Sequence, residues 1–150
     1  MQDGPLSTFL ATPFGFVIFF IVLWCAVCYF ISFVTGWLAL AGRFKKQSDP
    51  LGQVTSVGPF FYSVYMRFWS HYGSVIRLTA ASDALYASVL FPFRIGHPPL
   101  RIPWDEIRFG RTKFFFRSYI VLTLGNLEKI PTRISLRMAR NLGLLDRCPQ

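Results

Sequence analysis

The feature that most constrains this chain is a long stretch without charge. No charged residue lies between Asp3 and Arg43, and Phe14–Leu40 reads FGFVIFFIVLWCAVCYFISFVTGWLAL. An α-helix of that length, at about 1.5 Å per residue, spans roughly 40 Å, whereas one bilayer crossing needs about 20 residues. The sequence therefore predicts a transmembrane helix over residues 14–42, preceded by a short extracytoplasmic segment at residues 1–13.

A single tilted helix fits this stretch better than a helical hairpin, because no Pro-Gly or Asn-Gly pair breaks its middle. A cleavable signal peptide fits poorly. Residues 1–13 carry no Lys or Arg, and the apolar run is longer than the hydrophobic core of such peptides. We therefore expect the segment to stay in the mature chain as an anchor.

The rest of the chain is basic. All 16 Lys and Arg residues, and every acidic residue except Asp3, lie from residue 43 onward. Arg43, Lys45 and Lys46 follow the apolar run directly, which favours a cytoplasmic C-terminus and an N-terminus outside. The expected location is the cytoplasmic (inner) membrane. A composition of 53% hydrophobic and 15% charged residues excludes a disordered tail.

Small residues recur along one face of the predicted helix at spacings of three and four. They are Cys25, Cys28, Ser32, Gly36 and Ala39. Such a stripe lets another membrane helix approach closely and so predicts a docking face, although small residues also recur in membrane helices without that role. Cys25 and Cys28 have CxxC spacing, but lipid lacks the polar surroundings that stabilise a thiolate. We expect them to serve packing.

The apolar run contains no His, Asp, Glu, Lys or Arg. These residue types ligate haem or mark proton and ion pathways. A pigment carrier, pump or channel built from this helix alone is therefore disfavoured, and no cofactor is expected.

After the helix, residues 43–59 mix basic residues with Pro, Gly and Ser and predict a linker. The hydrophobic period then changes to two, which predicts a meander of short strands with a turn at Ser70–Gly73. The strands are expected at residues 63–69, 75–79, 85–91, 101–104, 107–116, 118–124 and 129–133.

A C-terminal helix is predicted after Ser135, the expected N-cap, because Leu136, Ala139, Leu142 and Leu145 follow at three-residue steps. Six or seven antiparallel strands closed by one helix is the order of a pleckstrin-homology-like barrel. We therefore predict a membrane-anchored α+β protein with such a domain over residues 60–147.

Two short strings carry a resemblance to known proteins. Gly96–Leu100 (GHPPL) and Ile102–Trp104 (IPW), within the run FRIGHPPLRIPWDEI, resemble those of small bacterial membrane-anchored proteins with a pleckstrin-homology-like domain. The resemblance covers roughly residues 60–145. It implies the fold and a bacterial source, and it brings no catalytic or ligand residues.

His97 is the residue that most invites an enzymatic interpretation. The nearest acids in sequence are Asp105 and Glu106, and no Ser-His-Asp or Cys-His spacing surrounds it. Metal binding would need more ligands than two histidines and scattered carboxylates provide. We expect His97 to bond the backbone of its proline-rich loop, and we expect no enzyme.

Two surfaces are candidates for partner contact. One is the loop with His97, Pro98, Pro99, Pro103 and Trp104, although Trp104 is favoured to fill the core or its rim. The other is a basic strand pair, which could meet anionic headgroups or an acidic partner, or could be an ordinary solvated surface. Its residues are Arg108, Arg111, Lys113 and Arg117. No nucleic-acid motif accompanies the charge, so nucleic acid is disfavoured.

The sequence therefore favours a non-enzymatic, single-pass membrane protein that acts as a docking module or accessory subunit of a larger membrane complex. Its expected partners are membrane lipid and an integral membrane protein. The proposed mode is bivalent, with the small-residue stripe and the domain contacting one partner together. The alternative function is a domain that binds anionic lipid headgroups.

Overall fold

The computed structural model describes residues 12–58, 62–67, 70–114 and 117–147. Three helices and nine strands are present in that part of the chain. The helices are α1 (Pro13–Thr35), α2 (Trp37–Phe44) and α3 (Leu136–Asn141), with 3-10 turns at Trp104–Glu106 and Leu145–Arg147. The strands are β1 (Thr55–Val57), β2 (Ser63–Met66), β3 (Ser70–Gly73), β4 (Ile76–Ala80), β5 (Ala84–Val89), β6 (Leu100–Pro103), β7 (Ile107–Phe114), β8 (Arg117–Leu124) and β9 (Ile130–Ser135).

Helix α1 begins where the sequence supplies a cap. The Thr12 hydroxyl accepts a hydrogen bond from the Gly15 amide at 3.1 Å, and Pro13 occupies the first helical position. The helix is long and apolar enough to cross a membrane, and most of its side chains are exposed in the isolated chain.

The predicted single helix ends early, at Gly36. Gly36 adopts φ of 82°, a left-handed conformation that favours glycine, and its amide donates to the Phe33 carbonyl at 3.2 Å. The chain then turns, and α2 enters the domain, where Trp37, Leu40 and Phe44 join the hydrophobic core. The prediction of one helix to residue 42 is therefore wrong beyond Thr35, because a core contact outweighs continuation of the helix.

The predicted linker at residues 43–59 also takes part in the domain. Lys45 forms a bridge with Leu100, and the Lys46 amide donates to the Pro99 carbonyl at 2.8 Å. Strand β1 lies in the same segment and pairs with β4. The folded domain thus begins directly after Gly36 and includes most of the segment expected to be a linker.

Two antiparallel sheets form the domain. The first has the strand order β1-β4-β5-β6, and the second has the order β3-β2-β9-β8-β7. Their apolar sides and two helices share one core, whose largest completely buried side chains are those of Trp37, Leu40, Met66, Ile76, Leu85, Leu100, Ile102, Ile120, Leu122, Ile130, Ile134 and Met138. No strand pairing joins the two sheets into a closed barrel within the described residues.

The expected meander is wrong at its start. Ser70–Gly73, predicted as a turn, is strand β3 and pairs with β2, so β2 lies in a different sheet from β4. Phe91, predicted in a strand, lies in a turn. Turn-forming residue types at Ser70–Gly73 are overridden there by backbone pairing with β2.

The C-terminal helix is confirmed, although it is shorter than predicted. The Ser135 hydroxyl accepts a hydrogen bond from the Met138 amide at 3.2 Å, which is the expected N-cap. Met138, Ala139 and Leu142 are buried in the core. The helix contacts β8, β9 and β1, and so covers strands of both sheets.

Candidate functional site: the helix–domain junction

The C-terminal half of α1 packs against the β-domain. The contact involves α1 from Trp24 to Thr35 on one side, and strand β3 with the loop at residues 91–99 on the other. We call this contact the helix–domain junction. It joins the apolar helix and the domain independently of the peptide backbone at Gly36.

Gly96 allows the loop to approach the helix closely. Its φ is 73°, and a Cβ atom built at Gly96 would lie 3.0 Å from the Cα atom of Tyr29. The Ser32 hydroxyl donates a hydrogen bond to the Gly96 carbonyl. Cys28 and Ser32 are buried beneath this contact. A side chain at residue 96 would therefore push the loop away from α1.

A chain of hydrogen bonds crosses the junction. The Thr35 hydroxyl lies 2.8 Å from the Tyr72 hydroxyl, which lies 2.9 Å from Nε2 of His97. Nδ1 of His97 lies 3.0 Å from the Ile95 carbonyl oxygen. All three side chains are buried in the described structure, so each polar atom needs a partner from the protein.

The Ile95 carbonyl, at the end of this series of hydrogen bonds, fixes which atom donates in each bond. Because the Ile95 carbonyl can only accept, Nδ1 of His97 carries the proton and Nε2 of the neutral ring accepts. Tyr72 therefore donates to His97, and Thr35 donates to Tyr72. The bond from His97 to Ile95 is the backbone contact that the sequence led us to expect.

Burial favours the neutral forms of His97 and Tyr72. It lowers the pKa of His97 below its ordinary value of 6.5, and hydrogen bonds to the backbone of Ile95 and Phe93 oppose that effect. Burial raises the pKa of Tyr72 to about 12, although the bond from Thr35 opposes the rise. At neutral pH the network therefore holds no net charge.

Further contacts hold the two ends of the junction. Nη1 of Arg67 donates to the Val34 carbonyl at 3.1 Å, which places a cation at the C-terminal end of α1 where the helix dipole favours it. Within the domain, Nε1 of Trp37 donates to the Pro98 carbonyl at 2.9 Å and so holds the 91–99 loop to the start of α2. Nearer the middle of α1, the ring of Trp24 lies 5.2 Å from that of Phe93.

The junction also contains a cavity of about 280 Å³. Cys28, His71, Tyr72, Phe93 and His97 are among the residues that line it. Nε2 of His97 already accepts from Tyr72, so it is not free to take a proton from the Cys28 thiol. In the described part of the chain, no group of three or more His, Cys, Asp and Glu side chains could hold a metal ion.

The small-residue stripe meets the chain's own domain. Cys28, Ser32 and Gly36 are buried, Cys25 is half-buried and Ala39 is exposed. The expectation that a partner helix docks along this stripe is wrong for the three buried residues, because the 91–99 loop and the Arg67 and Ile130 side chains occupy that side.

The proline-rich loop, one of the two candidate surfaces, offers a partner little exposed area. His97 is 2% exposed and so is unavailable to a partner, and Pro98 and Pro99 are half-buried. Trp104 lies at the rim of the core, where its Nε1 donates to the Ala81 carbonyl at 2.9 Å. The Arg147 guanidinium covers its ring at 4.3 Å. Of the two interpretations of Trp104, these contacts favour the core rim.

The basic strand pair divides between two faces. Side chains alternate along a strand, so Arg111 and Lys113 lie on one face of β7 and Arg108 lies on the other. Arg117 pairs with Phe114 and therefore shares the face of Arg108. All four cations are exposed. Arg108 and Arg117 lie at opposite ends of the strand pair, so the four cations do not form one patch.

Sequence reasoning missed several residues of the junction, namely Trp24, Thr35, Arg67 and Tyr72. Thr35 had a signal, because it lies three residues after Ser32 and extends the small, polar side of α1. Tyr72 had none, since it falls in a segment with the composition of a turn. Its role depends on pairing with β2 and on contact with a helix distant in sequence.

Comparisons of the chain with protein-family models, with curated proteins and with solved structures gave no match.

Proposed function

We propose that this is a single-pass protein of the cytoplasmic membrane, and that it acts as a docking module or accessory subunit of a larger membrane complex. In this proposal α1 crosses the bilayer, residues 1–13 lie outside, and the β-domain lies at the inner leaflet. Arg43, Lys45 and Lys46 support that orientation because they follow the helix on the domain side.

We further propose that the domain belongs to the pleckstrin-homology-like fold. Two antiparallel sheets around a shared core, with a C-terminal helix that contacts strands of both, support this assignment. The strings Gly96–Leu100 and Ile102–Trp104 support the resemblance to small bacterial membrane-anchored proteins with such a domain.

The observation that carries the functional proposal is the hydrogen-bonded chain from Thr35 through Tyr72 to His97. An anchor that only tethers a domain needs no fixed angle between helix and domain. A domain that must match a partner in the same bilayer gains from a fixed angle, because less motion is lost on binding. The buried chain, with the Arg67 contact to Val34 and the Ser32 bond to Gly96, supplies that fixed angle.

The mode of binding remains bivalent but uses a different face of the helix. The exposed side of α1, which includes Phe19, Phe30 and Phe33, contacts the partner's membrane helix, and the domain contacts the partner's cytoplasmic part. Because the junction holds both surfaces in one body, each contact raises the effective concentration of the other. No chemical step is part of this proposal, which is non-enzymatic.

Co-purification from native membranes tests this function. The full chain, tagged and solubilised in mild detergent, should elute in a complex with a specific integral membrane protein. Tyr72→Phe should stay in the membrane but lose much of the partner, whereas Tyr119→Phe, which changes a half-buried tyrosine outside the junction, should retain it. A chain that elutes alone and monodisperse would contradict the proposal.

A further inference from the structure

A second cavity, of about 390 Å³, opens on the outer side of the four-stranded sheet, next to the 91–99 loop. Three cations line it, namely Lys46, Arg77 and Arg94. Arg77 lies on the exposed face of β4, and its partner across the ladder is Ser88 of β5. We call this cavity the basic loop pocket. Its volume lies within the range of ligand sites.

The charge of this pocket is not neutralised from within. Its described lining contains no Asp or Glu. Within the described residues, no hydrogen bond or ion pair engages the guanidinium of Arg77 or of Arg94, while Lys46 pairs with the exposed Asp49 at 2.7 Å. Ser88 also lines the pocket, as does Thr79, whose hydroxyl donates to Oγ of Ser56 at 3.1 Å. Guanidinium groups and hydroxyls together suit a phosphate, which accepts several charge-assisted hydrogen bonds.

The side of the pocket nearest α1 is formed by the 91–99 loop, which itself contacts α1. The loop that supplies Phe91 and Arg94 contacts α1 as far as Trp24, through the Phe93 ring and the Pro92 carbonyl. Trp24 lies eleven residues before Thr35, which corresponds to roughly 16 Å along the helix. Phe91 is 80% exposed. In a helix that crosses the bilayer, such a loop reaches the inner leaflet and presents Phe91 to lipid.

We propose that the basic loop pocket binds the phosphate of an anionic phospholipid of the inner leaflet. Arg77, Arg94 and Lys46 hold the phosphate, and the acyl chains lie along Phe91 and α1. The inference rests on the proposed membrane location but not on the proposed partner. It places the lipid contact on cations other than Arg108, Arg111, Lys113 and Arg117.

Lipid binding to the purified full chain tests the pocket. Binding of phosphatidylglycerol and of phosphatidylcholine is measured by native mass spectrometry from mild detergent. The chain should prefer phosphatidylglycerol, and Arg77→Gln/Arg94→Gln should weaken that binding about tenfold or more. The matched double variant Arg108→Gln/Arg117→Gln removes the same charge elsewhere and should change it less than about twofold. Unchanged thermal unfolding midpoints establish that each variant is folded.

A separate arm distinguishes a lipid from a soluble phosphate compound. Phe91→Ser should weaken phosphatidylglycerol binding, and inorganic phosphate should compete poorly. Effective competition by inorganic phosphate, with Phe91→Ser unchanged, would overturn the lipid assignment. Equal losses in the two double variants, or no preference for phosphatidylglycerol, would overturn the pocket itself. Alkaline extraction of membranes reports insertion of α1 independently, so failure of the pocket is distinguishable from failure of the membrane anchor.

Discussion

The hydroxyl of Thr35, in the last turn of α1, lies 2.8 Å from the hydroxyl of Tyr72 in β3. This contact links the apolar helix to the five-stranded sheet, and His97 receives the proton of Tyr72 on the far side. Two buried polar groups, the Thr35 hydroxyl and Nε2 of His97, therefore share one phenol oxygen as a partner.

Tyr72→Phe should lower the free energy of unfolding by about 1–3 kcal/mol, because Nε2 of His97 loses its donor and the Thr35 hydroxyl keeps only its longer bond, at 3.4 Å, to the Ser32 carbonyl. Denaturant unfolding of the full chain in detergent micelles measures the change. Tyr119→Phe is the control, since the Tyr119 hydroxyl has no hydrogen-bond partner among the described residues, and its effect should stay within about 0.5 kcal/mol. Equal effects of the two variants would contradict the role of Tyr72.

The buried His97 predicts a loss of stability in acid. Its pKa in the folded chain is lowered by burial, so the unfolded chain binds a proton first as the pH falls. The stabilising contribution of neutral His97 is complete above the ordinary pKa of 6.5 and is lost as the pH falls below it, toward the folded-state value. Thermal unfolding midpoints measured between neutral and mildly acidic pH should fall more steeply in the native chain than in His97→Gln.

The control for that comparison is His71→Gln. His71 is exposed and stacks on Tyr65 at 4.7 Å between ring centroids, and it lines the same cavity as His97. The acid-sensitive slope should persist in His71→Gln. If the fall of the unfolding midpoint with pH disappears in His71→Gln and persists in His97→Gln, the acid sensitivity belongs to His71 and the prediction for His97 is wrong.

Gly96→Ala should destabilise the chain by at least about 1 kcal/mol, because a left-handed residue with a Cβ atom is strained and that atom would press on the backbone of Tyr29. Gly42→Ala is the matched glycine control. Gly42 lies within α2, and nothing comes within 4 Å of a Cβ atom there, so alanine should be neutral or stabilise by up to about 1 kcal/mol. Equilibrium unfolding compares the two. A harmless Gly96→Ala would show that close approach of the loop to α1 is dispensable.

Several helices and strands of the fold can be predicted from local sequence patterns. The helix–domain junction cannot, because its contacts join residues that are distant in sequence. The uncharged run around α1 and the Ser135 cap are local signals, and both identify real elements. The end of α1 at Gly36 was missed because glycine is common inside membrane helices, and its left-handed conformation is required only by the core contacts of Trp37. Likewise, burial of Cys28 and Ser32 results from a loop more than sixty residues away.

Topology is tested by thiol labelling of intact cells. Leu127→Cys, at a position 77% exposed in the domain, should react with a membrane-impermeant maleimide only after the membrane is permeabilised. Thr12→Cys should react in intact cells, because the N-terminal end of α1 is expected outside. The native cysteines are replaced by Ser or Ala in both variants. Labelling of Leu127→Cys in intact cells, or recovery of the chain in the soluble fraction, would refute the orientation or the anchor.

Placement of α2 makes the core of the β-domain depend on the segment that directly follows the apolar helix. Trp37, Leu40 and Phe44 fill the interior of the β-domain, yet they follow α1 after a single glycine. A fragment cut at the boundary suggested by residue composition, near residue 60, would lack these side chains and leave a hole in its centre. The β-domain is thus completed by the segment that directly follows α1. In the proposed membrane orientation, insertion of α1 and completion of the domain core would depend on one continuous stretch of chain.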